Sequence, residues 1–184
     1  VAAVTPYMLR MAAEICDGVR LHHFCSRRYL EQDVSEAIRR GEKQRVAGLP
    51  PLEISGGGFV VVGRDEREIA AAREGVRKQI AFYGSTRTYA SSFSCYGWDD
   101  LTSRLHEMSL RREWDLMSEI ISDEVLDEFV VSGDYDELGE RVRERLGSTT
   151  NRVSLRVPLD SAEDVDNARR LVAILQALPG RQAV

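Results

Sequence analysis

Apolar positions along the chain fall into strand-then-helix units. Val1-Ala2-Ala3-Val4 is a short continuous apolar run of the kind that fills a buried strand. Thr5-Pro6 then opens a helix, with proline at its first position and Thr5 as N-cap. That helix carries Met8, Met11, Ala12 and Ile15 on one face and stops after Cys16, at Asp17-Gly18. Val19 to Phe24 reads as a second strand, and Ser26 as the cap of a polar helix bearing Leu30, Val34 and Ile38 that closes near Gly41. A third strand lies within Leu52–Val62, split by Gly56-Gly57-Gly58 and strongest at Phe59–Val62.

The helix after it starts near Glu66 and places Ile69, Ala72, Val76, Ile80 and Tyr83 in one stripe. Gly133-Asp134-x-x-Glu137 has the spacing of a capping box, followed by Leu138, Val142 and Leu146 up to Gly147. Arg152–Val157 alternates polar and apolar as a fourth strand. Ser161 caps a last helix with Val165, Ala168, Val172 and Leu175 on its buried face. Strands alternating with helices predict βα units, a parallel sheet and an α/β fold with the helices on one side. Only residues 84–131 break the rhythm. With helical patterns over Leu101–Met117 and Ser118–Phe129, they read as a helical insertion between the third and fourth strands of one domain spanning 1–184.

Charge and cysteine content narrow the partners. The formal net charge is −5, and the basic residues are dispersed among acidic ones, which argues against nucleic acid as a partner. No apolar run reaches the roughly 20 residues a membrane-spanning helix needs. Cys16, Cys25 and Cys95 are odd in number and far apart, which suits a reducing cytoplasm better than a disulfide framework. The chain opens inside a strand, without a methionine, so it is expected to be the tail of something larger.

Candidate chemistry is sparse. A strand that turns at once into a helix aims free N–H groups and the positive dipole end at whatever lies above it, so the Thr5–Met8 turn is an anion site in waiting. His22 and His23 close the second strand, and alternation sends them to opposite sides. Each is open to two readings: a hydrogen-bonded structural histidine, or a group that polarises a carbonyl. Metal binding by His23 and Cys25 lacks further ligands, so no metal is expected. The three consecutive glycines precede a strand, without the Lys-Ser/Thr of a phosphate loop, and read as a bulge. Trp98 and Trp114 read as packing residues, and Arg141–Arg145 as a solvated helix face carrying a Glu137–Arg141 pair. No nucleophile, base and acid stand at a recognisable spacing.

Several stretches, in order, resemble one family. They are Ala2–Met8, Ala13-Glu14-x-x-Asp17-Gly18, Leu21–Phe24 and Ile80–Thr86, then His106-Glu107-x-Ser109 with Trp114, Ile121-x-Asp123–Asp127, and Gly133-Asp134. Together they look like the C-terminal half of luciferase-like monooxygenases, in the branch that uses the deazaflavin coenzyme F-420. The resemblance implies a (β/α)8 TIM barrel, a fold of roughly 250 residues, with strands five to eight present here. It implies an oxidoreductase moving hydride between coenzyme F-420 and a small organic substrate, with FMN as the alternative cofactor.

On that resemblance, the turn formed by Ala3, Val4, Thr5, Tyr7 and Met8 holds the cofactor phosphate. His22 or His23 faces the barrel mouth, and Tyr83, Ser85, Thr86 and Tyr89 lie toward the substrate, although Tyr83 sits on its helix's apolar stripe and so reads as core. The partner is then a missing N-terminal half-barrel or a second copy of the chain, and the isolated chain is expected to lack useful turnover. The competing reading outside enzymology is a non-catalytic half-barrel module.

Overall fold

A computed structural model describes residues 1–178 and 181. Among the described residues there are five short strands: β1 (Ala2–Ala3), β2 (Gly18–Leu21), β3 (Glu53–Ser55), β4 (Phe59–Val62) and β5 (Val130–Gly133). They form two sheets, β1-β2-β3 and β4-β5, and every pairing is parallel. The α/β class and parallel order follow the strand-helix alternation, while the strands do not close into a barrel.

Helix α1 (Pro6–Ile15) starts as expected, with the Thr5 hydroxyl accepting the Met8 N–H. Its buried face is Leu9, Ala12 and Ala13; Ile15, expected on that face, is exposed. After β2 come α2 (Arg27–Tyr29), a π-helical turn (Leu30–Val34) and α3 (Ser35–Glu42), which bury Leu30, Val34 and Ile38. Gly41 permits the close crossing of α3 over α1, because a β-carbon there would lie 2.3 Å from the Arg10 carbonyl oxygen. The Gly56–Gly58 break is where the third strand passes from one sheet to the other. Gly56 (φ 90°) and Gly57 (φ 96°) take left-handed backbone that other residues rarely adopt.

The 84–131 stretch needs correction. Parallel strands require a crossover, and here it consists of α4 (Glu66–Gly84), α5 (Ser91–Ser94), α6 (Asp99–Leu110) and α7 (Asp123–Asp127). It delivers the chain to β5, beside β4. The helical segment is therefore the β4–β5 connection itself. Val130–Gly133 was hidden because four residues with two adjacent valines show no period of their own. In α4, Val76 and Ile80 are buried as predicted and Ala72 is exposed.

A second correction concerns residues 152–157. Only Arg152 touches a strand, in one parallel bridge to Ser55. The edge of β3 is satisfied by Asn151: its side-chain oxygen accepts the Ile54 N–H and its amide donates to the Leu52 carbonyl. With that edge taken, Val153, Leu155 and Val157 still turn half-buried onto the core but have no ladder to join.

Helix α8 (Leu138–Leu146) buries Leu138, Val142 and Leu146 as expected. Asp134 accepts from the Asp136 and Glu137 N–H groups, an Asx turn ahead of the helix rather than a capping box. The Ser161 capping box of α9 (Ala162–Ala177) forms with Asp164. The buried side of α9 is Asp164, Asn167, Ala168 and Leu171, rotated from the predicted stripe so that Val172 is exposed.

Two apolar cores result. One joins β1–β3 to α1, α3 and α8; the other joins α4–α7 to Phe59, Val61 and Val130 around Phe24, Phe93 and Phe129. Helices cover one face of the three-stranded sheet. The two-stranded sheet sits between the cores, sending Val60, Val62 and Val131 to the first. Trp114, expected to pack, is half-exposed, whereas Trp98 stacks on Tyr96.

Candidate functional site

Strands β1 and β2 end at the same level, Ala3 opposite Leu21. Parallel strands put their C-terminal ends together, and the loops leaving them enclose a small cleft with a cavity of about 20 Å³. Ala3, Val4, Leu21, His22, Phe24 and Tyr29 form part of its wall, and Thr88, Tyr89, Ser91 and Ser92 from the crossover form another part. Two of the turn residues proposed for cofactor binding, Ala3 and Val4, thus share a cleft with one of the two histidines. Thr5, Tyr7 and Met8 are not on that wall, and the Tyr7 side chain is 75% exposed.

The first-turn donors of α1 are partly spent. Pro6 has no N–H, and the Met8 N–H points to the Thr5 hydroxyl at 3.5 Å. Among the described residues, the Tyr7 N–H has no protein partner outside its helix. The Val4 carbonyl accepts from the Tyr29 hydroxyl at 3.2 Å, which ties the turn to the helix following β2.

His22 is held firmly. Its Nδ1 accepts the Phe24 N–H at 3.0 Å, so in the neutral ring the proton resides on Nε2. Tyr83 packs edge-on and Tyr89 at a shallow tilt, both with ring centroids 4.7 Å away. Burial, and then the neighbouring His23, hold its pKa below the ordinary 6.5. The side chain is therefore a neutral imidazole with one remaining donor, Nε2–H.

His23 goes elsewhere. Its Nδ1 lies 3.2 Å from the Gly58 carbonyl, which only accepts, so Nδ1 carries the proton. The ring stacks on Phe59 and lines a different crevice, with Arg20 and Val60–Val62. Strand β2 ends at Leu21, short of the expected Phe24, so both histidines lie in the loop beyond it, and the loop, not strand alternation, sends their rings to different places.

The loop carrying the histidines is tied down by groups that periodicity did not single out. Ser26 precedes α2, but its hydroxyl donates to the Ser92 carbonyl at 2.7 Å instead of capping the helix. Arg145, placed by its charge run on a solvated face, is 3% exposed. It donates to the Glu128 carbonyl at 2.5 Å and, more weakly, to the Cys25 carbonyl at 3.4 Å; the Arg27 N–H also donates to Glu128. Burial lowers its pKa to about 10, still well above neutrality. A run such as Arg141-Val142-Arg143-Glu144-Arg145 gives no sign of which arginine a neighbouring loop will cover. Glu137 and Arg141 do form the expected surface pair. Cys25 is no nucleophile, since burial pushes its thiol up to about 12.

Of the other candidates, Tyr89 lines the cleft and Tyr83 touches His22, while Ser85 and Thr86 lie off the wall. The Ser85 carbonyl is 3.0 Å from His106 Nδ1. Among the described residues no set of three His, Cys, Asp or Glu side chains is placed to hold a metal ion, and no helix is long and apolar enough to cross a membrane.

Comparison with known proteins bears on this geometry. Residues 1–151 match the family model described as luciferase-like monooxygenase. An uncharacterized protein of Mycobacterium bovis is 38% identical over 153 residues, covering 83% of this chain and 45% of that protein. An uncharacterized protein of Mycobacterium tuberculosis matches to the same extent. The chain thus spans about 45% of the length of these relatives. Among solved structures, a coenzyme F-420 dependent tetrahydromethanopterin reductase from Methanopyrus kandleri shares the fold. Its TM-score is 0.66 at 19% identity, over 93% of this chain and 47% of that one.

Proposed function

This chain belongs to the luciferase-like monooxygenase family, and from that premise we propose that it carries part of an oxidoreductase site for coenzyme F-420 and a small organic substrate. The observation that carries the reading is His22: a neutral imidazole at the end of a parallel strand, oriented by Phe24 and the two tyrosines, with a single donor left. A deazaflavin presents a ring edge with carbonyl oxygens, an apolar ring system and a phosphate. The Nε2–H of His22 suits a carbonyl, and the Tyr7 N–H with the Thr5 hydroxyl suits phosphate. When bound, the cofactor supplies the hydride chemistry, and the protein orients it and shapes the pocket. Ala3, Val4, Thr5, Tyr7 and Met8 would hold its phosphate side. His22 would donate to a ring or substrate carbonyl without changing protonation state.

In this reading the strands are one half of a (β/α)8 barrel of a cytoplasmic enzyme. Support comes from the fraction of its relatives that the chain spans, and from the sheet face opposite α1 and α3, where Ala2, Arg20 and Glu53 are exposed. The other wall would come from an N-terminal half or a second copy, and turnover would require it. Fluorescence titration of the protein with coenzyme F-420, and separately with FMN, tests the assignment. Coenzyme F-420 should bind the more tightly, and His22→Ala should weaken it about tenfold, the worth of one well-placed donor. Preference for FMN would move the protein to the flavin branch. Binding of neither, with the fold intact, would sink the cofactor reading.

A further inference from the structure

The helix that follows the two histidines is capped from outside its own sequence. Through α2, the π-helical turn and α3, residues Arg27–Glu42 run on as one helix, and Ser26 at its N-cap position makes no side-chain cap. The crossover meets the first-turn donors instead. The Arg27 N–H donates to the Glu128 carbonyl at 2.8 Å, and the Arg28 N–H donates to the Tyr96 hydroxyl oxygen at 2.9 Å. The Tyr96 hydroxyl in turn donates to the Glu128 carboxylate. Burial, and then that carboxylate, push the Tyr96 pKa up to about 12, so the phenol keeps its proton at neutral pH. The ring has contacts of its own: Trp98 stacks on it with centroids 4.3 Å apart, and the Arg28 guanidinium lies 4.3 Å from its centroid.

We propose that Tyr96 is a positioning residue for His22, with the Glu128 carboxylate as its anchor. From His22 to Arg28 the chain is held by a series of bonds: Phe24 N–H to the His22 ring, Cys25 N–H to the His23 carbonyl at 2.8 Å, and Ser26 to the Ser92 carbonyl. The series ends on Glu128 and Tyr96. The same crossover carries Tyr89, whose ring packs on His22, and Thr88, Ser91 and Ser92 of the cleft wall. Tyr96 thus sets the loop that bears the imidazole against the segment that walls it. A phenol suits this place because one hydroxyl accepts from the loop and donates to the crossover, and its bond to a carboxylate is charge-assisted. Without the hydroxyl, the Arg28 N–H and the Glu128 carboxylate turn to water, and His22 spends part of its time away from Tyr83 and Tyr89. The effect on cofactor binding rests on the reading of His22 as a donor; the positioning of the ring does not.

The test is NMR of the His22 ring in the 184-residue protein without cofactor, followed by titration with coenzyme F-420. Tyr96→Phe removes the hydroxyl and keeps the ring contacts. Glu128→Ala removes the acceptor and keeps the main-chain carbonyl that serves Arg27 and Arg145, whereas Glu128→Gln keeps a side-chain acceptor. Tyr96→Phe and Glu128→Ala should each shift the His22 ring protons, which lie in the field of two tyrosine rings, and raise the titration midpoint toward 6.5. Glu128→Gln should match the wild type. The groups facing His22 are His23, Tyr83 and Tyr89, all unchanged in the three variants. Coenzyme F-420 should bind Tyr96→Phe about threefold more weakly, as expected if His22 is in place about a third of the time. Wild-type ring shifts and midpoint in either variant that folds, an equal change in Glu128→Gln, or unfolding of both Tyr96→Phe and Glu128→Ala would each overturn the proposal. Failure of the wild type to bind coenzyme F-420 would overturn the cofactor reading instead, and the ring shifts would still decide the role of Tyr96.

Discussion

On one face of the three-stranded sheet, Val19, Leu21 and Ile54 are buried beneath helices; on the other, Ala2, Arg20 and Glu53 are exposed. The two faces belong to the same strands, one residue apart. The covered face is apolar. The bare face carries charge, and its arginine, Arg20, forms no ion pair among the described residues. Burial and exposure have thus been sorted by the pleat, since successive side chains of a strand point to opposite sides. A neighbouring pair of positions can therefore differ by several kcal/mol in what a substitution costs.

The sharpest test of that difference is Ile54→Ala. Ile54 is fully buried at the centre of the first core, and removing three of its carbons should cost about 2–5 kcal/mol in chemical denaturation. A cost below about 1 kcal/mol would mean that the covered face does not hold the sheet together.

The strand end offers an intermediate effect with a defined pH dependence. Burial keeps the folded-state pKa of His22 below 6.5, so as pH falls the unfolded chain takes up the proton first. The contribution of the neutral ring is complete above pH 6.5 and is lost as pH drops from there toward the folded value. Thermal melts should show wild type losing more stability than His22→Gln between about pH 7.5 and about pH 5.5. Equal slopes would place the ring in solvent.

The smallest effect belongs to the bare face. Arg20→Ala should change stability by less than about 0.5 kcal/mol, because the side chain is exposed and unpaired. A larger loss in the same denaturation experiment would show that this face is covered in solution and that the contrast with Ile54 is only apparent.

Much of this was legible in the sequence where the signal was local. Thr5-Pro6 started α1 and Ser161 capped α9, because caps are decided within one turn of backbone. The apolar run Phe59–Val62 formed β4, and Gly56–Gly58 broke the strand as their freedom from a β-carbon allows. His22 and His23 do line different cavities as expected, but from a loop beyond Leu21 and not from a strand. Ordered matches along the chain pointed to the family, which the match over residues 1–151 then established.

Tertiary structure decided whatever depended on a partner distant in sequence. Residues 153–157 have the alternation of a strand but no ladder, because Asn151 satisfies the edge of β3 first. Val130–Gly133 lacks a pattern yet is a strand, because β4 presents a free parallel edge beside it. Arg145 sits in a charge run yet is buried, because the Glu128 and Cys25 carbonyls converge on it from two loops. Periodicity records which side of an element is apolar; it does not record which backbone groups elsewhere still need a partner, and that requirement settled these three segments.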